Sequence, residues 1–386
     1  MDALAIRDLV DARREAFVAA LERMVNVDCG SFNRDGVDHI ADVCEAMFRS
    51  SGWSVERSTP VPDDGGTTLG DTVVGTTDGA GGPRVLMLGH MDTVFDDGVA
   101  SERPFAVYGG RAFGPGVSDM KGGLLAGFFA VDALREAGFD GFERITYVCN
   151  PDEEIGSPSS RDLIRRLAAE HDAALVLECA RANGDVVSAR KGVTDYRIRI
   201  RGRAAHAGVE PEKGRSAVVE AAHEAIAIAA VHGRWPGVSC NVGILRGGTR
   251  TNVVAEEAVL EVELRSPELE TLEAAEREIE RICAEPTLDG VTVSVESEGW
   301  HRPMEKTVAS QRLVDTAIVV AGELGFALRD TATGGASDGN TTAAAGCPTL
   351  DGLGPIGGGA HGRDEWLDLE SIVPRTALLA GVITRL

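Results

Sequence analysis

The chain has 386 residues, enough for a large core and for two or three domains. Its 61 acidic side chains outnumber 38 basic ones, a formal charge of −23, so long-range repulsion opposes nucleic acid or an anionic membrane as a partner. The seven cysteines are scattered without a CxxC pair, which fits reduced thiols better than a disulfide framework or a thiolate metal site.

Taken in chain order, "MDALAIRDLVDARREAF" alternates charge with apolar residues at helical spacing and has no uninterrupted apolar core, so it reads as a surface helix and not a leader. No run approaches the ~18 apolar residues of a membrane span. A cytoplasmic location is expected. Helices are predicted near Ile6 to Val27 and Asp38 to Ser50, and "DDGGTTLGDTVVGTTDGAGG" reads as turns around one short strand. "RVLMLG" from Arg84 is a strand; a long helix runs from Asp119 to Gly138; "RITYVCN" and "AALVLEC" are strands. Such βα alternation with short continuous apolar strands predicts a mostly parallel sheet with helices on both faces.

From Val186 the pattern changes to strand ("VVSARKGVTDYRIRIRG"), helix, strand, strand, helix, strand, with the period-2 alternation of a half-exposed sheet. That order is the ferredoxin-like βαββαβ motif. After Gly299 the α/β pattern resumes with a helix near Ser310 to Leu324, the strand "PTLDGLG" and a helix after Pro374. The predicted architecture is an α/β domain in two parts, 1–184 and 299–386, interrupted by an inserted domain over 185–298.

Several chemistry-bearing residues fall at inferred carboxyl ends of strands: His90 and Asp92 in "GHMDTVF", Glu153 and Glu154 after Asn150, Glu178 in "ALVLE", and His361 in "GPIGGGAHGRDEW". Asp119, at the start of the long helix, joins them. An open α/β sheet gathers its ligand site at that edge. Two imidazoles with three carboxylates suit zinc, and can hold two ions if one carboxylate bridges. Charge supports this, because Asp119, Glu154, Glu178 and a bridging hydroxide would neutralise two divalent cations.

Each residue also has a plainer reading. Asp before a helical run ordinarily caps it, which suits Asp119. "DEE" could be a solvated acidic turn, although adjacent glutamates can divide labour, one on a metal and one moving a proton. Asp92, two positions from His90 on an extended segment, is placed to accept its second ring N–H. Glu178 is the least expected by the plain reading, since it would carry an unpaired charge into apolar surroundings.

The segments "GHMDTVF", "GPGVSDMKGG", "NPDEEIGSPSSRDLI", "LEC", "RGRAAHAG", "GGTRTNVV" and "GGGAHGRDEW" occur in this order. Together they resemble the co-catalytic zinc exopeptidases of the glutamate carboxypeptidase and aminoacylase family, the glutamate carboxypeptidase branch most of all. The resemblance spans roughly residue 70 to the C-terminus and implies a catalytic domain interrupted by a lid or dimerisation domain, hence a homodimer. It implies two Zn(2+) per subunit, with Co(2+) or Mn(2+) as substitutes. Asp119 would bridge them, His90 and Glu178 would complete one site, and Glu154 and His361 the other.

The resemblance also makes Glu153 the general base on the metal-bridged hydroxide, Asp92 the orienter of His90, and the Asp119-Met120 bond cis. His206, in "AAHAG", would stabilise the oxyanion, and Asn252, with Arg265 or Arg250, would meet the substrate carboxylate. Arg197, Arg199 and Arg201 read instead as solvent-facing. The family commonly has proline after "NVV", where this chain has Ala255.

The expected activity is hydrolysis of the amide bond to a C-terminal amino acid, glutamate first, in N-acyl amino acids or peptides. An aminoacylase or dipeptidase with the same machinery is the near alternative. A non-catalytic binding protein on the same fold would have replaced metal or base positions, and none is replaced. The Gly-rich loops "GGASDG" and "GPIGGG" match neither a P-loop nor G-x-G-x-x-G.

Overall fold

Val85, Leu86, Met87 and Leu88 form an apolar run that is stable as a strand only when both its faces are covered. A computed structural model, which describes residues 1–62 and 66–386 apart from the side chains of residues 298–300, covers both. Val85 and Met87 face a large cluster that includes Leu124, Val131, Leu378 and Val382. Leu86 and Leu88 face a smaller one with Ile164, Ala168 and Cys347. The period of two along one strand thus divides the core into two layers.

The strand Arg84–His90 lies between Arg144–Asn150 and Ala173–Val176, parallel to both. Thr349–Leu350 adds a further parallel strand beside Ala173–Val176. On the other side Thr72–Asp78 runs antiparallel to Arg144–Asn150, and Ser54–Ser58 pairs antiparallel with it at the edge. The fold is therefore α/β with a parallel-rich central sheet. The helix Gly122–Glu136 packs closely enough on the end of the central strands that a Cβ at Gly123 would come 1.7 Å from the Leu177 carbonyl oxygen. Only glycine fits that approach to the segment carrying Glu178.

Contacts divide the chain into two compact units, one of residues 1–189, 306–333 and 337–386 and the other of residues 190–305 and 334–336. The inserted unit was expected over 185–298. Its antiparallel sheet runs in the order Ser239–Gly247, Glu257–Ser266, Gly192–Arg201, Thr292–His301. Tyr196, Ile198 and Ile200 pack with Leu260, Val262 and Leu264 against Leu272 and Ile279 of the helix Leu269–Ala284 and Ala221 of the helix Ala217–Ala229. Arg197 and Arg201 alternate outward and are exposed, and Arg199 is half-buried beside Glu296. This is the ferredoxin-like βαββαβ arrangement.

Several elements differ from the sequence reading. The single strand expected from Val186 breaks at Lys191 into Val186–Arg190, which pairs with Asp330–Thr333, and Gly192–Arg201. The first expected helix is two, Ala3–Asp11 and Arg14–Val25, and the next begins at Arg34 under an Asn33 cap. Part of the Gly-rich stretch before Thr72, residues 63–65, lies outside the described residues. All seven cysteines are free and buried. Among the described residues no helix is long and apolar enough to cross a membrane.

Candidate metal centre and active site

The carboxyl ends of three adjacent parallel strands build the site. His90 closes Arg84–His90 and is 1% exposed; Asn150, its pairing partner, leads into Glu153 and Glu154; Glu178 follows Ala173–Val176 by two residues. His90 Nε2 lies 3.2 Å from Asp119 Oδ1 and 3.6 Å from Glu178 Oε1. Its other ring nitrogen is 3.0 Å from the Asp92 carbonyl and 3.3 Å from Asp92 Oδ1.

Asp92, fully buried, does more than meet His90. Its carboxylate accepts from Ser31 Oγ at 2.6 Å and from the backbone N–H groups of Glu153 and Glu154, each at 3.2 Å. One carboxylate therefore fixes both an imidazole and the turn that carries two glutamates.

Asp119 does not cap the long helix. It lies in the turn Val117–Lys121 with φ −116° and ψ 89°, after which Gly122–Glu136 begins without a side-chain cap. The Asp119-Met120 peptide is cis. Both carboxylate oxygens of Asp119 lie close to imidazoles: Oδ1 meets His90, and Oδ2 lies 3.3 Å from His361 Nε2. His361 Nε2 is also 3.0 Å from Glu154 Oε2. His361 holds φ 63°, a backbone region that residues other than glycine seldom occupy and that recurs at functional sites.

Two sets of three ligand atoms lie within 4.8 Å of one another among the described residues: His90, Asp119 and Glu154, and His90, Glu153 and Glu178. All six predicted residues of the centre thus come together, with Glu153 beside Glu178. Burial would lower the His90 pKa, but its bonds to Asp119 and Asp92 and the charge of Glu178 prevail and hold it well above the ordinary value. Bonds to Asp119 and Glu154 push His361 up to about 10. Burial raises Glu153 well above the carboxylate range, against the pull of His90 and with the repulsion of Glu178, Glu154 and Asp338. Burial also raises Glu154, outweighing its bond to His361. Asp119 is lowered, because bonds from His361 and His90 overcome its burial. Protons are held where carboxylates crowd, and a divalent cation is the ordinary replacement for them.

The supporting carboxylates are the residues the sequence reading missed. Glu365, 1% exposed, accepts from the backbone N–H groups of Gly116 at 2.9 Å, Ser118 at 2.8 Å and Asp119 at 3.0 Å, and from Ser118 Oγ at 3.1 Å. It ties the Asp119 turn to the segment that carries His361. Asp152 accepts from Ser159 and Ser160, and Asp338 from Asn150 and Ser157. The signal available for Glu365 was its position four residues after His361.

The other predicted residues belong to the second unit. His206 and Asn252 are exposed on neighbouring loops, joined by the Ala207 N–H bond to the Asn252 carbonyl at 3.0 Å; His206 Nδ1 accepts from the Gly208 N–H at 3.1 Å. Arg250 is exposed. Arg265 closes its fork on both oxygens of Glu263, at 2.8 and 2.7 Å, and gives a third bond to the Gly334 carbonyl. Ala255, at the position where proline was noted, offers its carbonyl to the Ala217 N–H at 2.8 Å.

Two imidazoles and two glutamates gathered with Asp119 at a parallel sheet edge form the donor set of a metal-dependent hydrolase. The sequence comparisons agree: residues 86–385 match peptidase family M20/M25/M40, and the chain belongs to it. It is 31% identical over 371 residues to carboxypeptidase G2 of Pseudomonas sp. (strain RS-16), covering 95% of this chain and 88% of that one. Succinyl-diaminopimelate desuccinylase of Cupriavidus taiwanensis is 25% identical over 363 residues, 89% of this chain and 93% of that one. The crystal structure of aminopeptidase PepT from Bacillus cereus superposes with a TM-score of 0.79 at 25% identity, covering 96% of this chain and 98% of that one. The chain is a hydrolytic enzyme of the metallopeptidase and amidohydrolase kind.

Proposed function

We propose that the protein is a di-zinc hydrolase that releases a C-terminal amino acid, glutamate first, from an N-acyl amino acid or peptide. The observation that carries this reading is Asp119, whose two oxygens face two different imidazoles 3.2 and 3.3 Å away. Asp119 would bridge the ions, with His90 and Glu178 on one and Glu154 and His361 on the other. When bound, the pair would polarise the scissile carbonyl and lower the pKa of a water held between them.

The chain's own residues account for the rest. Glu153, buried and with a raised pKa, takes a proton from the attacking water and returns it to the leaving amine. Asp92 holds His90 in one orientation and fixes the Glu153-Glu154 turn by its two backbone bonds. His206 is assigned to the developing oxyanion. Asn252, with Arg250 or Arg265, is assigned to the substrate carboxylate, and at Arg265 that carboxylate has to displace Glu263. The assembly is a homodimer in the cytoplasm.

The glutamate preference rests on the resemblance of "DEEIGSPSSRDLI" to the glutamate carboxypeptidase branch. The test is amino-acid release from N-acyl derivatives of glutamate, leucine and lysine by zinc-loaded protein. Glutamate released fastest supports the reading; faster release of leucine or lysine makes the enzyme an aminoacylase of other specificity.

A further inference from the structure

The segment "GGASDG" matches no nucleotide-binding loop, yet its serine and aspartate, Ser337 and Asp338, are both buried. Ser337 fixes the backbone there by capping the helix Asp338–Ala344. Its Oγ accepts from the Gly339 N–H at 3.0 Å and donates to Asp351 Oδ2 at 2.6 Å, while the Ser337 N–H donates to Asn340 Oδ1 at 3.0 Å. Asp338 therefore stands on a rigid turn.

The Asp338 carboxylate joins two points of the chain that flank the catalytic glutamates, all within the first unit. Its Oδ2 accepts from Asn150 Nδ2 at 2.8 Å and its Oδ1 from Ser157 Oγ at 2.6 Å. Asn150 and Ser157 are fully buried and bound the segment that carries Glu153 and Glu154. Asn150 ends a central strand opposite His90. Ser157 ends the turn at φ 55°, directly after Gly156 at φ 84°, and a non-glycine residue holds that region only when its surroundings fix it. Asn150 Oδ1 finds no hydrogen-bond partner among the described residues, and the other contact of Nδ2 is a long one, 3.4 Å to Ser160 Oγ. Asp338 is thus the main orienter of the Asn150 amide. Asp92 holds the middle of the same segment through the Glu153 and Glu154 N–H groups, and the charge of Asp338 is felt at Glu153.

We propose that Asp338 is a positioning residue for Glu153: by tying both ends of residues 150–157 it keeps the Glu153 carboxylate within reach of the proton it moves. The proposal rests on the reading of Glu153 as general base and deepens it. Proton transfer needs its acceptor at hydrogen-bond distance, so a loosened segment costs turnover more than substrate affinity. The residue type fits the role, because both neighbours donate and an ionised carboxylate only accepts. The open Asn150 Oδ1 supplies a way to test the bond by reversal. Asn150→Asp alone sets two carboxylates against each other, whereas Asn150→Asp with Asp338→Asn rebuilds both hydrogen bonds with the donor and acceptor exchanged.

The experiment combines kinetics of zinc-loaded protein, on whichever of N-benzoyl-glutamate, -leucine and -lysine is cleaved fastest, with amide hydrogen exchange of metal-free protein. Asp338→Ala should lower kcat by about 10- to 100-fold, the scale on which a misplacement of about 1 Å acts, with KM and zinc content little changed. Exchange at the Gly156 and Ser157 amides should quicken. Added to Glu153→Gln, the same substitution should cost nothing more, because groups that act as a unit are not additive. Unchanged kcat in Asp338→Ala, unchanged exchange at those amides, or losses that multiply in the double variant overturn the proposal. If Asp338→Ala does not fold, the exchanged pair decides: recovery by Asp338→Asn of the turnover lost in Asn150→Asp supports it, and no recovery overturns it. Near-normal turnover of Glu153→Gln alone removes the general-base reading and the positioning role with it. A large loss there, with multiplying effects, removes Asp338 only.

Discussion

The two units use the same building blocks to opposite ends. In the first, parallel strands buried on both faces deliver His90, Glu153, Glu154 and Glu178 to one edge, where each meets at least one other titratable group. In the second, an antiparallel sheet buries one face, and His206, Asn252 and Arg250 stand exposed on its loops. The contrast follows from strand geometry. A sheet covered on both faces leaves its polar residues only at strand ends, so they crowd; a half-covered sheet spreads them along its open face. Crowding shifts pKa values and makes a cation site, whereas spreading leaves side chains to meet a ligand singly.

Substitutions can break that contrast. The largest effect is expected at Glu153: Glu153→Gln should lower kcat by about 10²- to 10⁴-fold, the usual contribution of a positioned proton carrier, with zinc content by mass spectrometry unchanged. Near-normal turnover would remove Glu153 from the chemistry. In the second unit the corresponding loss should be one of stability. Leu260 is fully buried, and Leu260→Ala should cost about 2–5 kcal/mol in urea unfolding through the cavity it leaves, without altering zinc stoichiometry. A loss of zinc there would show that the units do not divide the labour.

Glu365→Gln is expected next. The amide turns a donor toward one of the backbone N–H groups that Glu365 now accepts, loosening the Asp119 turn. Zinc affinity, read by competition with a chelator, should fall by about 10- to 100-fold, as for other groups that orient metal ligands. Unchanged affinity would make Glu365 a purely structural residue.

The smallest effect concerns Glu224, which burial, with repulsion from Glu220, pushes up to about 7. A carboxyl whose folded pKa exceeds its unfolded value adds stability that is complete below the unfolded pKa and is lost as pH rises through the folded one. Wild-type thermal stability should therefore fall between roughly pH 4.5 and 7 by a component that Glu224→Gln lacks. Parallel pH profiles for the two proteins would contradict it.

The residues that turned out to be crowded were also the legible ones. His90, Glu178 and the Asn150 turn could be placed because an apolar run with a single polar residue at its end has few stable arrangements. The alternation in "DYRIRIRG" placed Tyr196, Ile198 and Ile200 inward for the same kind of reason. Asp119 was harder, since an aspartate before a helix ordinarily caps it, and its intervening turn has no local sequence signature. Glu365 offered only its position four residues after His361, because the backbone groups it accepts from lie nearly 250 positions away. The break at Lys191 was missed because both halves are good strand sequences, and what separates them is their pairing with different partners.

The central claim is that Asp119 joins two cation sites. Crystals of zinc-loaded protein, measured at the zinc absorption edge, test it most directly. Two anomalous peaks about 3.5–4 Å apart, with Asp119 between them and His90 and His361 on opposite sides, are the predicted result. A single peak, or two that do not share Asp119, would contradict it.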